Sequence, residues 1–444
     1  MSHPNVRGVV ILARNGDRSE YRQDPKTYAP GPTESSPLGE SQSHHLGAFL
    51  RSVYLNSNSP SRIQKMKYDL VDTQQVHVRA KAGGEGNAVF DSCIALLQGL
   101  FPPNPNNKIV LANETTVVAP LGGYQYVPVE TVEPDNDRSL ESWTDCKAFE
   151  KHIAQFYSSP EFKDAAKKAQ PFLEASRDFV FGTEISLENM YNVYDFMSSE
   201  LMHNKSYAHR LPPSFIEQAQ GWVDFHENGV FSDKEMGGIG NIAGRTIARS
   251  ILGALERIVY NGDPLQLFLQ EVTYQPLISL FHMTDIVVTH PEVKGLPNYA
   301  SALAIELRSG DGNDPRDFLR FKFKNGTADE DFQVLHAFEH HGDIPLTEFI
   351  YRLENAVINN NRNWASVCNS GSVWTETREA AGVNAIYASV IAAFLLLGMF
   401  VLSRFMIKRN RRRSYIQLAD PQETLPINEK ARTPLRVGEQ ARFA

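Results

Sequence analysis

Val6-Arg7-Gly8-Val9-Val10-Ile11-Leu12-Ala13-Arg14-Asn15-Gly16-Asp17-Arg18 opens the chain almost at once and decides how the rest is read. The first eight positions are an apolar run rich in β-branched residues, the pattern of a strand buried on both faces in a parallel sheet covered by helices. The run stops at two arginines that bracket a glycine. Open α/β sheets place their ligands outside the carboxyl ends of the strands, so Arg14 and Arg18 are candidate anion ligands by position. Without further support, arginines at a strand end also serve as surface or salt-bridge residues.

Outward from this strand, residues 24–37 form a Pro/Gly/Ser-rich loop, and Glu40, Gln42, His45, Leu46, Phe49 and Leu50 lie on a helix-like stretch. A second strand-turn-helix unit is predicted over 68–100. Its helix, 88–100, repeats apolar residues at helical spacing and ends at Phe101-Pro102-Pro103. Between about Thr131 and Gly262 the character changes to amphipathic helices with aromatic residues, such as 149–157 and 186–202. Strand character is read again at 277–287, and 301–308 and 318–324 alternate as antiparallel or edge strands do. The order is sheet, helical insert, sheet, with no internal repeat.

The composition is that of a folded protein: 444 residues, 42% hydrophobic and 22% charged, which excludes disorder as the main state. The net charge of -8 carries no basic stripe through the first 380 positions, which argues against nucleic acid as a partner. Charge is uneven, however. From Phe405 onward nine Lys/Arg stand against four Asp/Glu.

Just before that basic tail, 385–402 is almost wholly apolar and 380–403 holds no charge. About twenty such residues cross a hydrocarbon core of roughly 30 Å, and a buried soluble helix would show a polar face. The expectation is one membrane span at 383–404, making the lipid bilayer a partner. Arg404, Lys408, Arg409, Arg411, Arg412 and Arg413 follow it, so the flexible tail 405–444 is cytoplasmic and the N-terminal domain extracellular or lumenal. Met1-Ser2-His3-Pro4-Asn5 leads directly into the first strand, so a leader upstream of Met1 is expected. Translocation by the late span and a cytosolic domain are the alternatives. Sequons at Asn113, Asn204 and Asn325 suit a glycosylated ectodomain.

Three cysteines, Cys93, Cys146 and Cys368, allow one bridge at most and show no metal-ligand spacing. His44-His45 and His340-His341 are consecutive pairs that point to different sides of an element, so they read as surface residues. Neither a metal nor a cofactor is expected, and nothing specifies an oligomeric state.

Several blocks in order resemble the histidine acid phosphatases, the branch of the histidine phosphatase superfamily with phytases and acid phosphatases and a phosphoglycerate mutase-like fold. They are the strand ending in Arg14-x-Gly16-x-Arg18; Pro37-Leu38-Gly39 with Gln42 and Leu46-Gly47; Ser92 followed by Leu96-Leu-Gln-Gly-Leu-Phe-Pro-Pro103; His282 read at a strand end; and Asn298-Tyr-Ala-Ser301 with Glu306-Leu307-Arg308. The resemblance spans about 5–370. It implies a three-layer α/β sheet domain flanked by helices (1–130 and 263–375) with a mostly helical cap insertion (131–262). It also implies a Cys146–Cys368 disulfide and a phosphate or phosphomonoester-like anion as ligand.

The same resemblance exposes what is missing. The family signature reads Arg-His-Gly-x-Arg, and its histidine attacks phosphorus through a nitrogen lone pair. Asn15 stands there, and a carboxamide nitrogen is delocalised into its carbonyl. The family's His-Asp pair, which contacts phosphate and protonates the leaving alcohol, is read here as His282-Met283. A thioether has no proton to give. Arg14, Arg18 and His282 are the implied phosphate ligands, with Arg79 as an additional candidate because Ala88 occupies the usual position of a third arginine. Asp17 and Asp285 are candidate acids for a rearranged mechanism. The expected protein is a degenerate phosphatase, with an anion-binding membrane protein as the competing reading.

Overall fold

The computed structural model describes residues 5–369, apart from 261 and 311–313. Its strands are β1 (Val6–Arg14), β2 (Val76–Lys81), β3 (Lys108–Val110), β4 (Thr116–Val118), β5 (Val129–Val132), β6 (Leu267–Val272), β7 (Ala302–Ser309), β8 (Asp317–Lys324), β9 (Gln333–Leu335) and β10 (Ile344–Pro345). Its helices are α1 (Pro37–Tyr54), α2 (Ala88–Leu100), α3 (Pro120–Gly123), α4 (Lys147–Ser158), α5 (Pro160–Ala175), α6 (Met190–His203), α7 (Lys205–Arg210), α8 (Pro213–Val230), α9 (Ile242–Val259), α10 (Gln275–Met283), α11 (Ile286–Thr289), α12 (Leu346–Leu353) and α13 (Asn361–Cys368).

The main sheet runs β10-β8-β7-β1-β6-β2-β5, with β9 beside β8. β1, β6, β2 and β5 are mutually parallel, and β7 and β8 complete the sheet antiparallel. Alternation along β1 explains its apolar run. Val9, Ile11 and Ala13 face the layer that holds Leu46, Leu50 and Leu96, whereas Val10 and Leu12 face Ile247, Ile251, Leu255 and Leu280. Helices α1 and α2 thus cover one face, and α9 and α10 the other, giving three layers.

α1 starts where Pro37 takes the first helical turn and Ser36 caps it, its Oγ accepting from Gly39 N–H at 3.1 Å. α1 and α2 touch backbone to backbone. A Cβ on Gly47 would lie 1.9 Å from the Leu96 carbonyl oxygen, and one on Gly99 2.0 Å from that of His44. Only glycine permits that approach.

A second core, with Phe149, Phe172, Met190, Val223 and Phe231, belongs to helices α4 to α8 and their connections. The Cys146–Cys368 disulfide, expected from the resemblance, closes across 222 residues and joins the start of α4 to the end of α13.

One expected element is corrected. The run 277–287 is not a strand: residues 275–283 form helix α10, with Pro276 in its first turn. The strand beside β1 is β6, in which every residue is buried. Leu277, Ile278, Leu280 and Phe281 are all buried, and a helix covered on most sides presents a continuous apolar run that resembles a central strand.

Among the described residues no helix is long and apolar enough to cross a membrane. The expected span 383–404 and tail 405–444 lie outside the described residues.

Candidate functional site

The loop after β1 is held from three sides. Asn15 N–H donates to the Val272 carbonyl of β6 at 3.2 Å, and the Asn15 carbonyl accepts from Ala300 N–H at 3.1 Å. Gly16 N–H donates to Ser92 Oγ on α2 at 3.1 Å, and Asp17 N–H to Gln42 Oε1 on α1 at 2.9 Å. Position 16 admits no side chain, because a Cβ would lie 2.1 Å from the Gly39 carbonyl oxygen. Gly39, Gln42 and Ser92, scattered in sequence, therefore converge to shape one loop at the carboxyl end of the sheet.

Both arginines are buried here. Arg18 forms a two-pronged ion pair with Asp195 on α6, at 2.8 and 3.1 Å, and donates to Tyr191 Oη at 2.9 Å and to the Ser19 carbonyl at 3.0 Å. Its guanidinium lies over the Tyr21 ring at 4.6 Å. Burial alone would lower its pKa, but the Asp195 carboxylate more than compensates and holds it well above the ordinary arginine value. Arg14 donates to the Pro297 carbonyl and lies between the rings of Tyr299 (4.4 Å) and Tyr274 (5.6 Å), with its Nε buried and without a partner.

Asn15 turns its amide back on the loop, Nδ2 donating to the Gly16 carbonyl at 2.8 Å. Tyr191 and Tyr274 stack at 5.2 Å. The Tyr274 hydroxyl donates to Glu227 Oε2 at 2.7 Å and accepts from Gln23 Nε2 at 2.8 Å. Where an anion would need unpaired donors, tyrosines and an internal carboxylate fill the space.

The candidates from the second family motif are elsewhere. His282 stands near the end of helix α10 rather than at a strand end, and its Nε2 meets Asn228 Oδ1 of α8 at 2.6 Å. Burial, and then the Lys294 charge, lowers its pKa to about 4, so the imidazole is neutral above that pH. Met283 is in the core, its sulfur so close to α9 that a Cβ on Gly244 would come within 2.7 Å of it. Among the described residues neither makes a hydrogen bond or ion pair to the Asn15 loop.

The β1/β6 register shows which residues do flank it. Arg14 pairs with Val272, so Thr273 and Tyr274 follow at the level of Asn15 and Gly16. Both are buried, and Thr273 Oγ1 has no partner. These two were missed in the sequence. The signal was Leu265 to Val272, an apolar run interrupted by Gln266, Gln270 and Glu271, which hides a strand buried on both faces.

The remaining candidates disperse. Arg79 on β2 pairs with Asp137 at 2.6 Å and bonds Ser250 at 3.0 Å, in a cleft against α9 rather than at the Asn15 loop. Asp17 stays in the loop, but its carboxylate is committed to Ser36 Oγ and to His203 at 2.9 Å. Asp285 sits between α10 and α11 with a left-handed backbone (φ 56°), and burial and the nearby Glu339 raise its pKa against the opposing pull of Arg352.

One unforeseen group lies behind the loop. Glu271 on β6 is fully buried with neither carboxylate oxygen hydrogen-bonded, and burial pushes its pKa well up, which favours the protonated acid. Burial, and then the neighbouring Glu271, pushes up the pKa of Cys93, a buried free thiol. Among the described residues no group of three or more His, Cys, Asp or Glu is placed to hold a metal ion.

No family model matches the chain. It is 29% identical to human lysosomal acid phosphatase over 210 residues, 47% of this chain and 45% of the human protein, so that match spans less than half of the relative. With bovine lysosomal acid phosphatase it is 24% identical over 406 residues, 90% of this chain and 88% of the bovine protein. Solved structures share the fold, two phytases among them. The phytase of Citrobacter braakii has a TM-score of 0.52 at 12% identity, covering 80% of this chain and 98% of the phytase. Hafnia alvei phytase has a TM-score of 0.53 at 10% identity, covering 81% and 98%. The chain shares its fold with these phytases and is similar in sequence to the lysosomal acid phosphatases, which supports a place in the histidine phosphatase superfamily.

Proposed function

We propose that this chain is a membrane-anchored acid-phosphatase-like protein whose ectodomain has lost phosphomonoester hydrolysis. One observation carries the reading: the loop that must attack phosphorus presents the Asn15 amide, bonded to its own backbone, beside an Arg18 already neutralised by Asp195. Attack needs a lone pair, and departure of the alcohol needs an acid. The side chains at the neighbouring strand end are Thr273 and Tyr274, and burial raises the Tyr274 phenol pKa well above its ordinary value, which makes it a poor acid. Catalytic groups act as a unit, so loss of the nucleophile alone costs on the order of a millionfold in rate.

Hydrolysis by a rearranged mechanism loses support from the same geometry, since Asp17 is engaged by Ser36 and His203, and Asp285 lies by Glu339 and Arg352. Anion binding at the loop remains the second reading, favoured by the unpartnered Nε of Arg14. It requires Asp195 to leave Arg18.

The rest of the proposal rests on sequence. The span 383–404 anchors the protein, the core (1–130 and 263–375) with its cap (131–262) faces the lumen or exterior, and Asn113, Asn204 and Asn325 carry glycans. Asn113 and Asn204 are exposed and Asn325 half-buried, which supports modification at the first two most directly. The test is p-nitrophenyl phosphate turnover by the purified chain from acidic to neutral pH. Turnover at ordinary acid phosphatase rates that survives repurification and falls in Arg14→Ala sinks the proposal.

A further inference from the structure

A second arginine cluster lies away from the Asn15 loop, in a cleft of about 260 Å³ between β2, α9 and the start of α13. Arg79, Arg138 and Arg249 line it, and Asp137 is its one lining carboxylate. The three guanidiniums are not equally engaged. Arg79 is held by Asp137 at 2.6 Å, by Glu130 at 3.3 Å and by Ser139 at 3.2 Å. Arg138 lies on the Trp364 ring at 4.4 Å and bonds the Thr144 carbonyl at 3.2 Å, with a looser contact of 3.3 Å to the exposed Asp145. Arg249 is exposed, and no hydrogen bond or ion pair involves it among the described residues. Asn359 adds a side-chain amide with no partner among them.

The wall is also left open. Gly253 follows Arg249 by four residues on the same face of α9, and a Cβ there would meet nothing within 4 Å. With Arg79 answered by Asp137 and Glu130, and Arg138 by Asp145, Arg249 carries the one positive charge of the lining that no carboxylate answers among the described residues. Planar guanidinium forks, hydroxyls and amides are the donors that recognise tetrahedral oxyanions. The volume exceeds that of a bare phosphate ion, yet falls at the low end of ligand pockets, which run roughly 300–1,000 Å³.

We propose that this cleft binds a small dianionic oxyanion ligand, a phosphate or sulfate group free or carried on a sugar-sized body, with Arg249 as the group that closes on it. The proposal is independent of the state of the Asn15 loop. In this account anion recognition has moved from a site the protein fills itself to one that it leaves unfilled.

The test is calorimetric titration of the full chain in detergent with inorganic phosphate, inorganic sulfate, glucose 6-phosphate and, as the uncharged control, glucose. Binding of the three anions but not of glucose is expected. Arg249→Glu, at an exposed position with no partner, should keep the native melting temperature and weaken binding at least tenfold. Tighter binding of glucose 6-phosphate than of phosphate assigns an ester as the natural ligand, and the reverse assigns the free ion. Absence of heat with all three anions overturns the proposal, as does undiminished binding by a folded Arg249→Glu chain.

Discussion

Replacing Asp195 by Asn tests whether the protein's own carboxylate occupies the place of an anion. The Arg18–Asp195 pair is buried, with both side chains about 5% exposed, and Asp195 also accepts from Tyr21 N–H at 2.6 Å. Asp195→Asn keeps the shape and one acceptor but leaves a buried guanidinium uncompensated. Breaking a buried pair in this way costs about 3–5 kcal/mol. At roughly 2–4 °C per kcal/mol for domains somewhat smaller than this one, the melting temperature should fall on the order of 10 °C. The vacancy should then admit phosphate between Arg14 and Arg18. At a concentration about a hundredfold above its dissociation constant, a ligand that binds only the folded state restores about 2.7 kcal/mol, more than half of the loss. The assay is thermal melting with and without phosphate, in the Arg249→Glu background so that binding in the cleft against α9 is weakened in parent and variant alike. A variant as stable as its parent refutes the reasoning. So does phosphate that stabilises parent and Asp195→Asn equally, because Asp195 would then not be in the anion's place.

Restoring the missing chemistry at the positions that the register identifies, Asn15→His with Thr273→His and Tyr274→Asp, should give detectable p-nitrophenyl phosphate turnover in the Asp195→Asn background. Asn15→His with Met283→Asp should give none and should melt lower, because it buries a carboxylate in the core against α9; equal turnover by the two sets would contradict the placement. Glu271 makes stability depend on pH. Its folded pKa is raised, so its contribution is complete below about 4.5 and is lost as pH rises through the folded value. Relative to the parent, Glu271→Gln should therefore gain melting temperature as pH goes from acidic to alkaline, and a constant difference between the two curves would contradict it. Removing the Cys146–Cys368 bridge by double Ser substitution should cost about 2–5 kcal/mol in urea unfolding, and an unchanged midpoint would argue that the bridge is dispensable.

The parts of this fold that were legible in the sequence are those in which local pattern and packing agree. β1 announced itself because a parallel central strand must be apolar on both faces, and α1 and α2 because their apolar spacing is helical and their crossing needs Gly47 and Gly99. The neighbouring strand failed for the opposite reason. β6 carries Gln270 and Glu271 in its buried interior and was not read as a strand, while α10 buries Leu277, Ile278, Leu280 and Phe281 in one run, so pattern alone placed the strand on α10. That placement moved the second half of the site by nine residues, onto His282 and Met283. Arg14, Asn15 and Arg18 were legible because they abut β1. Asp195 was not, since no local feature of α6 marks a carboxylate that folds back onto a residue 177 positions earlier. The arginine cleft was equally hidden, because β2, α9 and the segment before α13 meet only in three dimensions.

Whether phosphorus is ever attacked by this chain is decided most directly by acid quenching of the purified protein during exposure to p-nitrophenyl phosphate at acidic pH, followed by mass spectrometry of its peptides. The account predicts no phosphoryl adduct on any residue of the loop after β1 or on any histidine. A phosphohistidine, or a phosphorylated peptide containing Asn15, would contradict it.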